Sequence, residues 1–209
     1  HVAVSVLGDG GPGGLGTGSA PAASLVFQAT ENFANISFFC QIFGGLPGNG
    51  YFLTGLPDNL NDLYQQAYND GARIHSNSWG ANTAGDYTAN SAESDEFMWN
   101  NPDMLITFSA GNDGADGNSD GVVDSDSIGS PATAKNVLTV GASENDRLDN
   151  FPCDTGLSYT SSDAYQSGQT CSSMGGTNTL GTAGPRWGFT TEPLNSDPSA
   201  GNAEQMAPF

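Results

Sequence analysis

The chain has 209 residues, enough for one α/β domain with a hydrophobic core. It carries 23 acidic against 4 basic side chains, a formal net charge of −19. The bases, Arg73, Lys135, Arg147 and Arg186, are scattered, whereas phosphate recognition needs clustered Lys and Arg, so nucleic acid and anionic membranes are set aside as partners. No apolar run is long enough to cross a bilayer as a helix. Three readings of the acidity stay open: calcium binding, solubility in a salty or alkaline medium, and a solvated surface without a role.

Gly8, Gly10 and Gly13 match the spacing of a dinucleotide-binding loop. That loop must follow a strand and open a helix; the glycine- and proline-rich residues behind it cannot do so, and the reading is dropped. Residues 24–30 (SLVFQAT), rich in β-branched and aromatic side chains, predict a strand. Residues 31–56 read as a long loop with some extended structure, and Cys40, inside NISFFCQIF, as a buried free thiol.

Residues 57–72 predict an amphipathic helix that starts at Pro57-Asp58 and ends before Gly71. Leu60, Leu63, Tyr64 and Ala67 fall on one of its faces. Residues 73–80 (RIHSNSWG) predict a strand running into a turn, with His75 a satisfied, buried or half-buried histidine rather than a catalytic one. Residues 90–101 predict a short helix with an acidic front, stopped by Pro102. Residues 104–112 predict a buried strand and residues 136–143 a further strand. This alternation implies parallel pairing through right-handed crossovers and an open α/β sheet. Function in such sheets sits on the loops at the strands' C-terminal ends, here SNSWGAN, SAGNDG and GASEN. Beyond residue 150 no period is visible, and residues 151–204 read as a surface insertion.

Two stretches carry chemistry of their own. SAGNDG (109–114) comes straight off a strand, where the Asn112 amide can aim at a developing oxyanion. One such donor is worth about 3 kcal/mol in a transition state, although the same residues are ordinary turn formers. DGNSDGVVD (116–124) resembles the start of a calcium loop. Asp116, Asn118 and Asp120 offer oxygens at alternating positions, Gly121 permits the sharp turn, Val122 offers its carbonyl and Asp124 closes the loop. Ser127 stands where such loops carry Glu, Asp126 is a candidate replacement, and flanking helices are missing. A structural calcium ion and a solvated acidic turn both fit. Cys153 and Cys171 bracket a polar segment. A disulfide there would add about 3 kcal/mol in the chain-entropy model; three free thiols are the alternative.

Taken in order, HVAVSVLG, ARIHSNSWG, ITFSAGNDG and SIGSPATAKNVLTVGASEN resemble the subtilisin-like serine proteases, or subtilases. More narrowly they resemble the alkaline, oxidation-tolerant subtilases of bacilli and related secreted enzymes. The likeness runs from His1 to about Arg147 and returns thinly at QMAPF (205–209). It implies an α/β fold with an open parallel sheet and helices on both faces, in three layers. It also implies a secreted, monomeric serine endopeptidase acting on proteins or peptides.

Residue by residue, His1 matches the second histidine of the family's His-Gly-Thr-His-Val-Ala-Gly, which takes the nucleophile's proton and returns it to the leaving amine. Asn112 matches the side-chain donor of the oxyanion hole. Ser78, Trp79 and Gly80 match the strand beside the primary specificity pocket, where substrate backbone adds as a further strand. Ser109, Ala110 and Gly111 match the opposite wall, and Gly129, Ser130 and Pro131 the floor. The stretch near Leu53 to Leu56 matches the second substrate-flanking edge.

The family's catalytic aspartate lies upstream of the histidine and its serine lies in Gly-Thr-Ser-Met-Ala; the 209 residues match neither. The likeness therefore implies part of a catalytic domain, from the catalytic histidine to before the catalytic serine, incomplete at both ends. MGGTNTLGTAGP (174–185) imitates the serine motif with Asn178 in the serine's place, but GTAGPRWGF cannot form the helix that motif opens. Val4 replaces a family glycine, and its isopropyl group would displace His1 if the helix packs tightly there. Two rival readings remain: a catalytically inactive subtilase, and a secreted calcium-binding or adhesion module, which accounts for the Asp loop but not for His1 or Asn112.

Overall fold

The structure, a computed structural model, describes residues 2–13, 16–43, 48–144, 183–197 and 203–208. Ten regular elements follow in chain order among them: α1 (Val2–Leu7), β1 (Asn32–Ala34), α2 (Phe38–Phe43), β2 (Gly50–Phe52), α3 (Leu60–Asn69), β3 (Ile74–Asn77), α4 (Ala89–Asn100), β4 (Leu105–Ser109), β5 (Leu138–Val140) and α5 (Ala183–Trp187). Strands β3, β4 and β5 form one sheet in that order, and β4 and β5 run parallel with Thr107 opposite Leu138. The chain divides into two compact units, one of residues 1–75 and 96–105, the other of residues 76–95 and 106–209.

In the first unit α3 supplies the core. All four residues of its apolar stripe, Leu60, Leu63, Tyr64 and Ala67, are buried, and Phe97 and Met104 are buried with them. The Tyr64 ring packs 5.4 Å from Phe97 and edge-on to His75 at 5.1 Å. The helix begins one turn later than Pro57-Asp58, at Leu60, because the Asn59 side chain caps it by accepting the Asn61 N–H at 2.8 Å. Gly71 ends it at φ +97°, a conformation that favours glycine. His75 is half-buried, and its Nε2 lies 2.8 Å from Gln28 Oε1.

Residues 24–30 are not a strand. β-propensity describes a fit to a pleated, half-buried surface, and here Leu25 and Phe27 are 55% and 76% exposed. The segment is held instead by Gln28 Nε2 donating to Leu63 O at 3.0 Å and by Gly55 N–H donating to Thr30 O. Residues 31–56 hold more than a loop: β1 and β2 pair antiparallel, with Phe33 opposite Tyr51 and their rings edge-on at 5.3 Å, and α2 lies between them in sequence. The expected burial of the Cys40 thiol lies outside what is described, as do Cys153 and Cys171, and with them the disulfide.

In the second unit Ile106 and Phe108 of β4 are buried with Ala132, Ala134, Ala183 and Phe189. Neither β4 nor β5 is buried throughout, because side chains alternate across a sheet: Leu138 and Val140 are 52% and 51% exposed, and Leu105 is 37% exposed. The acidic front of α4 is also corrected, since its first turn carries no acid; Glu93, Asp95 and Glu96 lie further along. One of them, Asp95, accepts the backbone N–H groups of Lys135 at 3.0 Å and Asn136 at 2.6 Å and the Tyr87 hydroxyl at 2.7 Å. Burial pushes this carboxyl's pKa up, but the two backbone N–H groups, the Tyr87 hydroxyl and the Lys135 charge outweigh it and hold it below the ordinary carboxylate value.

Candidate active site

The three segments singled out as substrate walls and floor meet in the second unit. Residues 78–80 leave β3 and residues 110–112 leave β4, so both emerge from strand ends. Residues 129–130 join them through backbone alone. Gly129 N–H donates to Ala110 O at 3.0 Å, and Ser130 pairs antiparallel with Ala81, N–H to O at 3.0 Å one way and 2.9 Å the other. Pro131 follows, fully buried.

Two glycines let these chains approach. A Cβ at Gly80 would lie 2.9 Å from Ser130 O, and one at Gly129 would lie 2.7 Å from Ala81 O. On the other side Gly111 turns the wall at φ +115°, a region side chains disfavour, directly before Asn112. Asn112 is solvent-exposed, as are Ser78, Gly80 and Ser109, while Trp79 is half-buried edge-on against Phe108 at 5.3 Å. The exposed segments thus stand in front of a buried bridge.

Sequence reasoning missed what stands behind that bridge. The Ser130 hydroxyl lies 2.5 Å from Thr88 Oγ1 and 3.2 Å from Ser91 Oγ; Ser91 Oγ lies 2.8 Å from Thr133 Oγ1. Thr133 Oγ1 donates to Asp86 O at 2.9 Å. Thr88 and Ser91 lie three residues apart at the start of α4, but Ser130 and Thr133 lie outside any helix, so no sequence period marks the cluster.

His1 lies outside the described residues, so its placement beside Asn112 is not described. Val4 is 63% exposed on α1 among the described residues, and its effect on His1 lies outside them. Asn178 and residues 145–182 around it also lie outside the described residues.

In the acidic loop the expected calcium donors turn onto the loop's own backbone. Asp116 accepts the N–H groups of Asp120 and Gly121, Asn118 that of Asp120, Asp120 that of Val122, and Asp124 that of Gly117, all at 2.8–3.0 Å. These bonds fold the oxygen-rich side chains of 116–124 onto one short loop. Among the described residues no three His, Cys, Asp or Glu side chains are placed to hold a metal ion.

An α/β chain with facing, strand-end segments joined by a buried bridge has the layout in which such folds bind ligands. The subtilase family profile matches residues 1–206, and the chain belongs to the subtilase family. That membership supports serine protease chemistry, and it does not favour the adhesion-module reading; it does not reach the oxidation-tolerant alkaline subgroup. Two serine protease/ABC transporter B family proteins of Dictyostelium discoideum are similar to it. TagD is 38% identical over 92 residues, 42% of this chain and 4% of that protein. TagA is 36% identical over 96 residues, 46% of this chain and 5% of that protein. The chain therefore spans only a small fraction of the relatives it matches.

Proposed function

We propose that this chain supplies the histidine base, the oxyanion donor and the substrate-binding walls of a secreted serine endopeptidase that cleaves peptide bonds through an Asp/His/Ser triad. The observation that carries the reading is the backbone bridge at Gly129–Ser130, which ties the segment before Ala81 to the segment before Asn112. A substrate peptide lies extended along Ser78–Gly80, with its side chain between that wall and Ser109–Gly111 and Gly129–Pro131 as the floor. His1 takes the proton of the attacking hydroxyl and passes it to the leaving amine, and the Asn112 amide donates to the oxyanion of the tetrahedral intermediate. The aspartate and the serine come from motifs these 209 residues do not contain. In the same reading the 116–124 loop would take a structural calcium ion through the hard oxygen donors Asp116, Asn118, Asp120, Val122 O and Asp124, once their side chains turn from the loop N–H groups they accept here.

The test is peptide hydrolysis. A protein carrying this segment together with the Asp-Thr-Gly and Gly-Thr-Ser-Met-Ala motifs turns over a chromogenic peptide, and His1→Ala lowers its kcat on the order of 10⁶-fold, the magnitude established for subtilisin itself. The 209-residue chain alone gives no turnover above background. Turnover by that chain which survives repurification and vanishes in His1→Ala would place the nucleophile elsewhere. A folded but inert protein bearing all three motifs would favour the inactive homologue.

A further inference from the structure

The hydroxyl cluster behind the backbone bridge has only one possible order of hydrogens. Thr133 Oγ1 spends its single hydrogen on the Asp86 carbonyl, which can only accept. Toward Ser91 it must therefore accept, so Ser91 donates to it. Ser91 has then spent its own hydrogen, and Ser130 must donate to Ser91; Thr88 in turn must donate to Ser130. The chain runs one way, Thr88 to Ser130 to Ser91 to Thr133 to Asp86 O. Ser91 is its middle link, fully buried, and its oxygen also receives the Thr88 N–H at 3.4 Å.

We propose that Ser91 is a positioning residue for the substrate walls: it fixes Ser130, and through the Gly129–Ser130 bridge it fixes the spacing between residues 78–80 and 109–111. The proposal rests on the reading of those segments as substrate walls. Ser130 is the one member whose backbone holds a wall, through both bonds to Ala81, while the adjacent Gly129 N–H holds the other. Breaking the chain at either side of Ser91 leaves a buried hydroxyl short of a partner, which a buried site resolves by moving. The bridge is then free to shift, and α4 need not unfold.

The experiment uses the full chain in four forms: wild type, Ser91→Ala, Thr133→Val and Thr133→Ser. Thr133→Val keeps shape and removes the link, whereas Thr133→Ser keeps the link, and neither touches a wall residue. Binding of a fluorescein-labelled, uncharged hexapeptide is measured by anisotropy, and amide exchange is followed at Ala81, Ser130 and Ala110. Loss of one hydrogen bond's net worth corresponds to about fivefold. Ser91→Ala and Thr133→Val should therefore weaken peptide binding by about fivefold and speed exchange at Ala81 and Ser130, with the Ala110 amide, bonded to Val140 O in the β4–β5 ladder, unchanged. Thr133→Ser should restore wild-type values. Unchanged binding and exchange in both deletions overturns the role of Ser91 while leaving the walls standing. A wild-type chain that does not bind the peptide overturns the wall reading, and the positioning role falls with it. Equal acceleration at Ala110 marks general loosening and also overturns the proposal.

Discussion

At the scale of single residues, Val4 separates likeness to a family from fit to this chain. The family's glycine there suggests that a side chain should crowd the helix, yet Val4 is 63% exposed. Its Cβ branch meets solvent, so removing it relieves nothing, while glycine adds backbone freedom to the unfolded chain. Val4→Gly should therefore destabilise α1 by about 0.5–1 kcal/mol. A lowered urea midpoint would show it; a raised midpoint would mean that the valine is strained. Tyr68 illustrates the same dependence on neighbours. Its hydroxyl bonds to Asp103 at 2.9 and 3.1 Å, which raises the phenol pKa and lowers that of the carboxyl, while the Arg73 guanidinium covers the ring at 3.9 Å.

At the scale of elements, α4 anchors the segment proposed as the substrate floor. Thr88 and Ser91 grip Ser130, and Asp95, one turn beyond Ser91, grips the N–H groups of Lys135 and Asn136. The Asp95 pKa is lowered on folding. Its contribution to stability is thus complete above the unfolded carboxylate value of about 3.9 and is lost as pH falls through the lower folded value. Asp95→Asn cannot accept as strongly and should cost about 1–2 kcal/mol near neutral pH. It should also flatten the acid limb of a plot of urea midpoint against pH between 5 and 2.5. An acid limb as steep as wild type would assign that limb to other carboxylates. What was legible in the sequence follows the same physics. Helix α3 was readable because its four buried residues repeat at helical spacing and Gly71 follows. Residues 24–30 were misread because strand-like composition does not guarantee a strand partner, and β1 and β2, three residues each, are too short to leave a period. The loops carrying residues 78–80 and 109–111 were legible from the strand and helix alternation, and their reading as substrate walls through family likeness. The hydroxyl chain was not, because its members lie up to 45 positions apart between Thr88 and Thr133, and only folding makes Ser91 and Ser130 neighbours.

At the scale of the whole chain, electrostatics should govern stability. A net charge of −19 with only 4 bases repels itself in the compact state, and salt screens that repulsion over about 10 Å at 0.1 M. The thermal midpoint should therefore rise from low to moderate sodium chloride. Calcium chloride at matched ionic strength separates screening from binding. If the 116–124 loop takes the ion, calcium at a hundred times its Kd adds about 2.7 kcal/mol, and Asp120→Ala removes that increment. Equal responses to sodium and calcium would leave the loop a solvated acidic turn.

The facing glycines at 80 and 129 have a consequence for engineering. A Cβ at either would come within 3 Å of a backbone carbonyl across the bridge, so each position rejects a side chain on its own account. If these segments form the substrate walls proposed above, a library built to retune peptide selectivity would waste most of its members by randomising Gly80 and Gly129. Diversity belongs at Ser78, Trp79 and Ser109, whose side chains are wholly or partly open to solvent and border the same surface without standing in the seam.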